Sequence, residues 1–438
     1  MQGTSQRQRP FFTRAWLLPA LVLLAALALL WAWWGAQTDP GAQLLEEAAT
    51  RQELSRTDQV LFSYQEAVRA DPNDLDAAAI LAEAYLQKVR ESGDPAYYGK
   101  AEALLDGVIA RDPRHLLALI GKGSLLLAQH RFAEALAVGE AARAVQPAVA
   151  RVYGVIADAQ VELGMYEQAV DTVQQMVDLR PDLSSYSRVA YLRELYGDPE
   201  GAIEAMQMAA DAGGSTSENS EWARVQLGNL YLGIGDLASA ERTYAQSLER
   251  LPGYVHALAG LARVRTAQGD QAEAVRLYEE AIARIPLPEF VIALGELHEA
   301  AGRADAARAQ YALVGAMQRL FQAQGSDVDL DLALFEADHG GAAQAVVLAE
   351  EAYGRRPGIK GAETLAWALH RAGRSAEARP LIEEALRLGT QDAVLLARAG
   401  LIAQAQGDSE AARAYLERAA TINPHLPPLL ANEVGAVE

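Results

Sequence analysis

Seven histidines and 58 carboxylates are the side chains here best able to move protons or hold a metal, and their spacing argues against both uses. The histidines are scattered: there is no His-Glu-x-x-His and no pair four residues apart on one helix face. Cysteine is absent, which excludes disulfides, thiolate metal sites and cysteine nucleophiles. Gly121-Lys122-Gly123-Ser124 lacks the pattern of a phosphate-cradling loop, and Gly233-Ile234-Gly235 reads as a turn between helices. The carboxylates are spread along solvated faces and single out no acid–base pair. No Asn-x-Ser/Thr sequon occurs. The expectation is a chain with no catalytic residue, no cofactor and no metal, whose work is binding.

Binding surfaces need elements to carry them. The chain has 438 residues, too many for one compact core, and is 51% apolar but only 7% aromatic. Alanine and leucine dominate the apolar fraction, which favours helix over sheet. From residue 164 a glycine recurs: Gly164, Gly197, Gly235, Gly269, Gly302, Gly340, Gly373 and Gly407. An alanine stands five residues after each, and an alanine or glycine seven residues before each. Seventeen residues after five of them comes proline: Pro181, Pro252, Pro286, Pro357 and Pro424. The proline phase runs upstream through Pro147, Pro113 and Pro72, where the glycine column is lost and His130 takes its place once.

One unit can be read physically. Glycine ends a first helix because a tight reversal needs positive φ at low cost. Asp198, Asp236, Asp270 and Asp408 follow directly, placed to cap a second helix. The small residues let the two helices approach closely, and proline stops the second helix. A lone hairpin cannot bury both faces, so units must stack.

Leu227-Gly228-Asn229-Leu230-Tyr231, followed by Gly235, Ala240, Tyr244 and Pro252, resembles a tetratricopeptide-repeat (TPR) unit. The resemblance covers residues 42–424. It implies an all-α, right-handed α-solenoid of about eleven helical hairpins; the uncharged N-terminal run adds one transmembrane helix before them. TPR arrays bind proteins or peptides in a concave groove lined by first helices. Carried onto this chain, the groove-facing candidates are Arg151, Asp158, Tyr191, Trp222, Asn229, Arg263, Glu296, Trp367 and His370. The two tryptophans are the strongest anchors on chemical grounds, against the alternative that each fills packing between helices. Asn229 and Arg263 lie one unit apart and resemble a fragment of a carboxylate clamp. Glu289, Glu296 and Glu299 oppose an anionic tail there, so no heat-shock-chaperone clamp is expected.

Two steps between glycines measure 38 residues. One holds Gly213-Gly214-Ser215-Thr216-Ser217; the other follows an extended second helix closed by Gly325-Ser326-Asp327. These seams predict sub-blocks at 42–212, 219–324 and 327–424 with altered packing between them. The tail, 425–438, is too short for a capping helix with a linker; its leucines are expected to fold over the last unit or to dock on a partner.

Residues 15–36 carry no charge and match a bilayer core in length as a helix, with Trp16 at one end and Trp31, Trp33 and Trp34 at the other. An uncleaved signal anchor is the expectation; a cleaved signal peptide and a buried helix compete with it. Arg7, Arg9 and Arg14 precede the span, which puts the 1–14 tail in the cytoplasm and exports the array through the 37–41 linker. The net charge is −20, and the three N-terminal arginines leave −23 on the rest. So acidic a body repels phosphate backbones, and no nucleic acid is expected as partner. Arginine heavily outnumbers the four lysines, a bias associated with GC-rich bacterial genomes. The combined expectation is a scaffold on the outer face of a bacterial cytoplasmic membrane, bound to the bilayer through 15–36. It would serve assembly of an envelope complex such as a secretion, pilus, polysaccharide or cytochrome c maturation system. The alternative is a cytoplasm-facing regulator.

Overall fold

A computed structural model describes residues 55–214, 218–323 and 329–436. The expected span 15–36, its flanks 1–14 and 37–41, and the seam residues 215–217 and 324–328 lie outside the described residues. Among the described residues no helix is long and apolar enough to cross a membrane, and every regular element is a helix.

The chain divides into two units, Met1–Val60 and Leu61–Glu438. The described part of the first is the opening turn of α1 (Arg56–Ala70), where the Ser55 hydroxyl accepts the Asp58 N–H and donates to its carboxylate. The second unit is a stack of ten hairpins. The first five are α2–α3 (Leu75–Ser92, Ala96–Arg111), α4–α5 (Leu116–Ala128, Phe132–Val145), α6–α7 (Ala150–Glu162, Tyr166–Leu179), α8–α9 (Leu183–Leu195, Pro199–Ala212) and α10–α11 (Glu218–Gly233, Leu237–Arg250). Five more follow: α12–α13 (Val255–Ala267, Gln271–Arg284), α14–α15 (Pro288–Ala300, Ala304–Ala323), α16–α17 (Asp329–His339, Ala342–Arg355), α18–α19 (Ile359–Arg371, Ser375–Ala385) and α20–α21 (Ser409–Ile422 after Ala393–Ala405). A last helix, α22 (Pro428–Gly435), closes the chain. Ten complete hairpins are thus seen among the described residues; α1 is the second helix of the further expected unit that ends at Pro72, whose first helix would fall outside them.

The turn chemistry follows the sequence pattern closely. Seven of the eight column glycines adopt positive φ, and His130 is the sole non-glycine residue to do so among the described residues. Gly340 departs: the Gly340-Gly341 turn reverses without a left-handed residue. Upstream, the column is not lost as expected, because Gly93 takes the left-handed position that ends α2. Asp198, Asp236, Asp270 and Asp408 each cap the following helix, accepting N–H groups at 2.9–3.2 Å. The alanines after the turns are buried to within a few per cent. Where the small residue before the turn is glycine, a side chain of the second helix fills the space: a Cβ on Gly228 would strike Tyr244, one on Gly295 would strike Tyr311, and one on Gly400 would strike Leu416. The second helix is fourteen residues long in seven hairpins but twenty in α15, the extension anticipated from its sequence.

The sequence did not foretell how the stack closes on itself. Turn loops touch linkers about 192 residues later, again and again. The Tyr166 hydroxyl accepts the Ile359 N–H at 2.7 Å, and Arg356 grips the Glu162 carboxylate at 2.5 Å. Gly197 faces the Gly389 carbonyl, and Asn423 donates to the Leu232 carbonyl at 2.9 Å. Gly93 faces Ile285 in the same relation. That constant separation means Leu61–Glu438 winds into a coil whose later units rest on earlier ones. One hydrophobic core accordingly joins residues of α6–α8 to residues of α16–α22. The tail forms a short, largely apolar helix rather than a polar cap, and its leucines fold back on the array: Leu430 enters that core and Glu433 pairs with Arg371 at 2.8 Å.

Candidate functional site

The first helices of successive hairpins turn one face into the interior of the coil. There α6, α8 and α10, with Met206 of α9 and Arg90 from α2, enclose a cavity of about 570 Å³. Four of the nine candidates line it: Asp158, Tyr191, Trp222 and Asn229. Trp222 is 38% exposed, unusual for so large a ring. Leu183, Met206 and Leu230 complete an apolar wall beside it.

Polar groups hold the other side. Arg188 makes a two-pronged bond to Asp158 at 2.8 and 2.5 Å and also donates to the Ser184 carbonyl. Asn229 Oδ1 accepts from the Tyr244 hydroxyl at 2.7 Å and from Arg263 at 2.6 Å. The adjacency of Asn229 and Arg263 seen in the sequence is therefore a direct contact. Beneath Trp222, the fully buried Glu221 is neutralised by Arg224 at 3.2 Å and Arg250 at 3.1 Å. Tyr191 meets water in the groove, yet surrounding protein desolvates its phenol and, with the Glu162 charge, raises its pKa above the ordinary value. Desolvation likewise raises Glu194, although its surface is open to the groove.

The remaining candidates lie elsewhere. Arg151 is engaged by Glu83 at 2.5 Å. Glu296 accepts from His339 at 3.2 Å. Trp367 corrects the groove assignment: it is only 2% exposed, its Nε1 donates to Asp338 at 2.8 Å, and the guanidinium groups of Arg371 and Arg398 sit over its ring. It serves packing because flanking groups fill the space a partner would need. His370 stacks on it with centroids 5.1 Å apart, and its Nδ1 meets Ser375 Oγ at 3.0 Å. Further along, Lys360 is held protonated by Glu363, outweighing its burial, with Asp392 assisting.

Arg188, Gln226, Glu194 and Arg90 were missed. Arg188 and Gln226 stand nine residues before a column glycine, one helical turn behind the chosen column, and that offset would have found them. Glu194 and Arg90 both stand three before a left-handed glycine. Arg90 was hidden because Gly93 was not recognised as that glycine. No group of His, Cys, Asp or Glu among the described residues could hold a metal ion.

Three family profiles described as tetratricopeptide repeat match: one at residues 126–196, one at 98–150 and 225–287, and one at 393–426. The chain carries tetratricopeptide repeats. TPR proteins bind protein or peptide partners and are in general non-catalytic scaffolds. Among curated proteins, anaphase-promoting complex subunit 7 of Mus musculus is 25% identical over 218 residues, and that of Homo sapiens 24%. Each match covers 42% of this chain and only 38% of the relative's length. Among solved structures, the TPR protein TTC0263 of Thermus thermophilus is 24% identical, with a TM-score of 0.35, covering 39% of this chain and 90% of that one. A human IFIT1 dimer with PPP-AAAA is 15% identical, with a TM-score of 0.44, covering 85% of this chain and 87% of that one.

Proposed function

We propose that this TPR chain is a membrane-tethered scaffold that holds a protein segment in the groove pocket between α6, α8 and α10. The observation that carries the reading is an exposed tryptophan and tyrosine on successive first helices, facing a cavity large enough for side chains of a partner. Buried aromatic anchors ringed by polar groups are where interfaces concentrate their energy. The array belongs, in this proposal, to a single-pass protein of a bacterial cytoplasmic membrane, anchored by 15–36, with repeats outside and an envelope or membrane complex as client. Its acidic charge disfavours nucleic acid as that client. Sub-blocks 42–212, 219–324 and 327–424 are the segments between which it would adjust.

Site-specific photo-crosslinking from the pocket, followed by pull-down, tests the groove. Trp222→Ala is expected to lose the captured partners, while Val347→Ala, an exposed position on a second helix, retains them. Full retention by Trp222→Ala would place binding elsewhere. For topology, a periplasm-active reporter fused after residue 60 should be active; an inactive fusion reverses the orientation.

A further inference from the structure

We propose that α22 is a built-in occupant of the concave face it covers. It closes one end of the coil's interior and gives way to a partner's helix that repeats its pattern, a branched apolar residue at the place of Leu430 and a carboxylate one turn later at that of Glu433. The pocket at Trp222 lies elsewhere in the coil and takes no part.

Pro428 begins α22 where the repeat phase calls for the first helix of another unit. A helix that merely extended the stack would rest on α20 and α21. Instead α22 packs on α20 and α14, and Glu433 pairs with Arg371 of α18 at 2.8 Å. These are first helices of three different hairpins, so α22 lies on the face that lines the interior. Its contact with α14 is not one between gyres: those join residues 191–194 positions apart, and α14 is much nearer in the chain. The pair α2 and α10 stands in the same relation along the stack, and there a side-chain bond from Gln87 to Glu218 at 3.1 Å spans the gap. At α14 the gap is closed by the helices themselves, because α22 is drawn inward.

The seat keeps its shape without the helix. Arg371 also donates to the Ala337 carbonyl at 3.3 Å and stands over the Trp367 ring, whose indole N–H is held by Asp338. The helix, by contrast, is lightly held. Leu430 is the side chain it buries; Leu426 and Val434 are half-buried, and Ala431, Asn432 and Gly435 are exposed. Eight residues are too few for a helix to stand alone in water, and Pro427 supplies no side-chain cap. The anchor of the tail precedes the helix, where Asn423 donates to the Leu232 carbonyl at 2.9 Å. Release of α22 therefore leaves that contact between gyres in place. Pro424, Pro427 and Pro428 stiffen the connector, so the helix departs as one piece. Tethering gives α22 a high effective concentration at its seat, which excludes weak guests and yields to a longer helix of the same pattern.

The test uses full-length protein in detergent and fluorescence anisotropy with a dye-labelled peptide copy of residues 424–438. The double variant Leu430→Asp, Glu433→Lys, whose own α22 is released, is expected to bind the peptide at least about tenfold tighter than the unaltered chain does. Adding Arg371→Glu should abolish that binding, and a peptide carrying Glu433→Arg should restore it. Equal affinity of the two chains, or no binding by either while circular dichroism shows both folded, would overturn the proposal. A second readout leaves the seat and the buried leucine untouched. The chain has no cysteine, so Asn432→Cys takes a single spin label on the exposed side of α22. Excess unlabelled peptide should raise the label's mobility, and a peptide carrying Leu430→Asp should not. Unchanged mobility at saturating peptide would overturn the proposal even if the double variant fails to fold. Light scattering that gives a dimer dissolved by Leu430→Asp would put α22 in a neighbouring copy and overturn closure within one chain.

Discussion

Trp222 and Trp367 both sit on first helices of the array, and their surroundings differ in every respect that matters for binding. Around Trp222 the neighbours lie to one side, the indole N–H is unspent, and a cavity opens in front of the ring. Around Trp367 the N–H is spent on Asp338, two guanidinium groups and an imidazole cover the ring, and the shared core of the coil surrounds it. Two gyres of the coil also meet near the start of that helix, at Tyr166 and Ile359. A repeat scaffold can thus keep one stretch of its interior vacant and pack another solid without altering the hairpin.

The largest expected effect is on that contrast itself. Trp367→Ala should lower unfolding free energy by roughly 3–5 kcal/mol in a urea melt, the usual cost of emptying a core ring. Trp222→Ala should change it by less than about 1 kcal/mol. Equal losses would erase the distinction. Next comes the contact between gyres. Gly164→Ala and Gly269→Ala both force a side chain into positive φ, at a cost of about 1–2 kcal/mol. Only at Gly164 does the new Cβ also approach a carbonyl, that of Pro357, at 2.7 Å; nothing lies within 4 Å of it at Gly269. An additional ~1–3 kcal/mol is expected for Gly164→Ala; matched losses would mean that the gyres do not bear on each other.

Deleting 425–438 removes Leu430 from the closed region and unpairs Arg371 from Glu433. The melting temperature should fall, reflecting about 2 kcal/mol for one buried leucine, while peptide binding at Trp222 persists. An unchanged melting temperature would detach the tail from the array's stability. The smallest effect is on pH. Burial lowers the pKa of His370 beside Trp367, and of His256 in α12, below the ordinary 6.5 or so. As pH falls through 6.5 the unfolded chain takes up protons there before the folded one does, so stability declines. His370→Gln should flatten that decline in melts between pH 7 and 5; an unaltered slope would show that His370 does not contribute.

Much of this was legible in the sequence because it is local. Positive φ at Gly235 and the cap at Asp236 depend on neighbours within a few residues, so their spacing was sufficient. The pocket was partly legible, since Asp158, Tyr191 and Asn229 share one helical column. Trp367 occupies that same column and is nonetheless buried, because Arg371 and Arg398 arrive over it from its own helix end and from the next hairpin. Column position sets the face of a helix and says nothing of what roofs it. The bond from Tyr166 to Ile359 spans 193 residues, a separation across which no short motif reports.

Contact between gyres also constrains how such an array can change its length. An open solenoid can add or drop a unit, because each unit answers only to its neighbours. Here a duplicated hairpin inserted between Gly235 and Pro357 would carry every later linker one step beyond its matching turn, parting Glu162 from Arg356 and Gly197 from Gly389 together. The tally of units in that interval is consequently fixed by the winding of the coil.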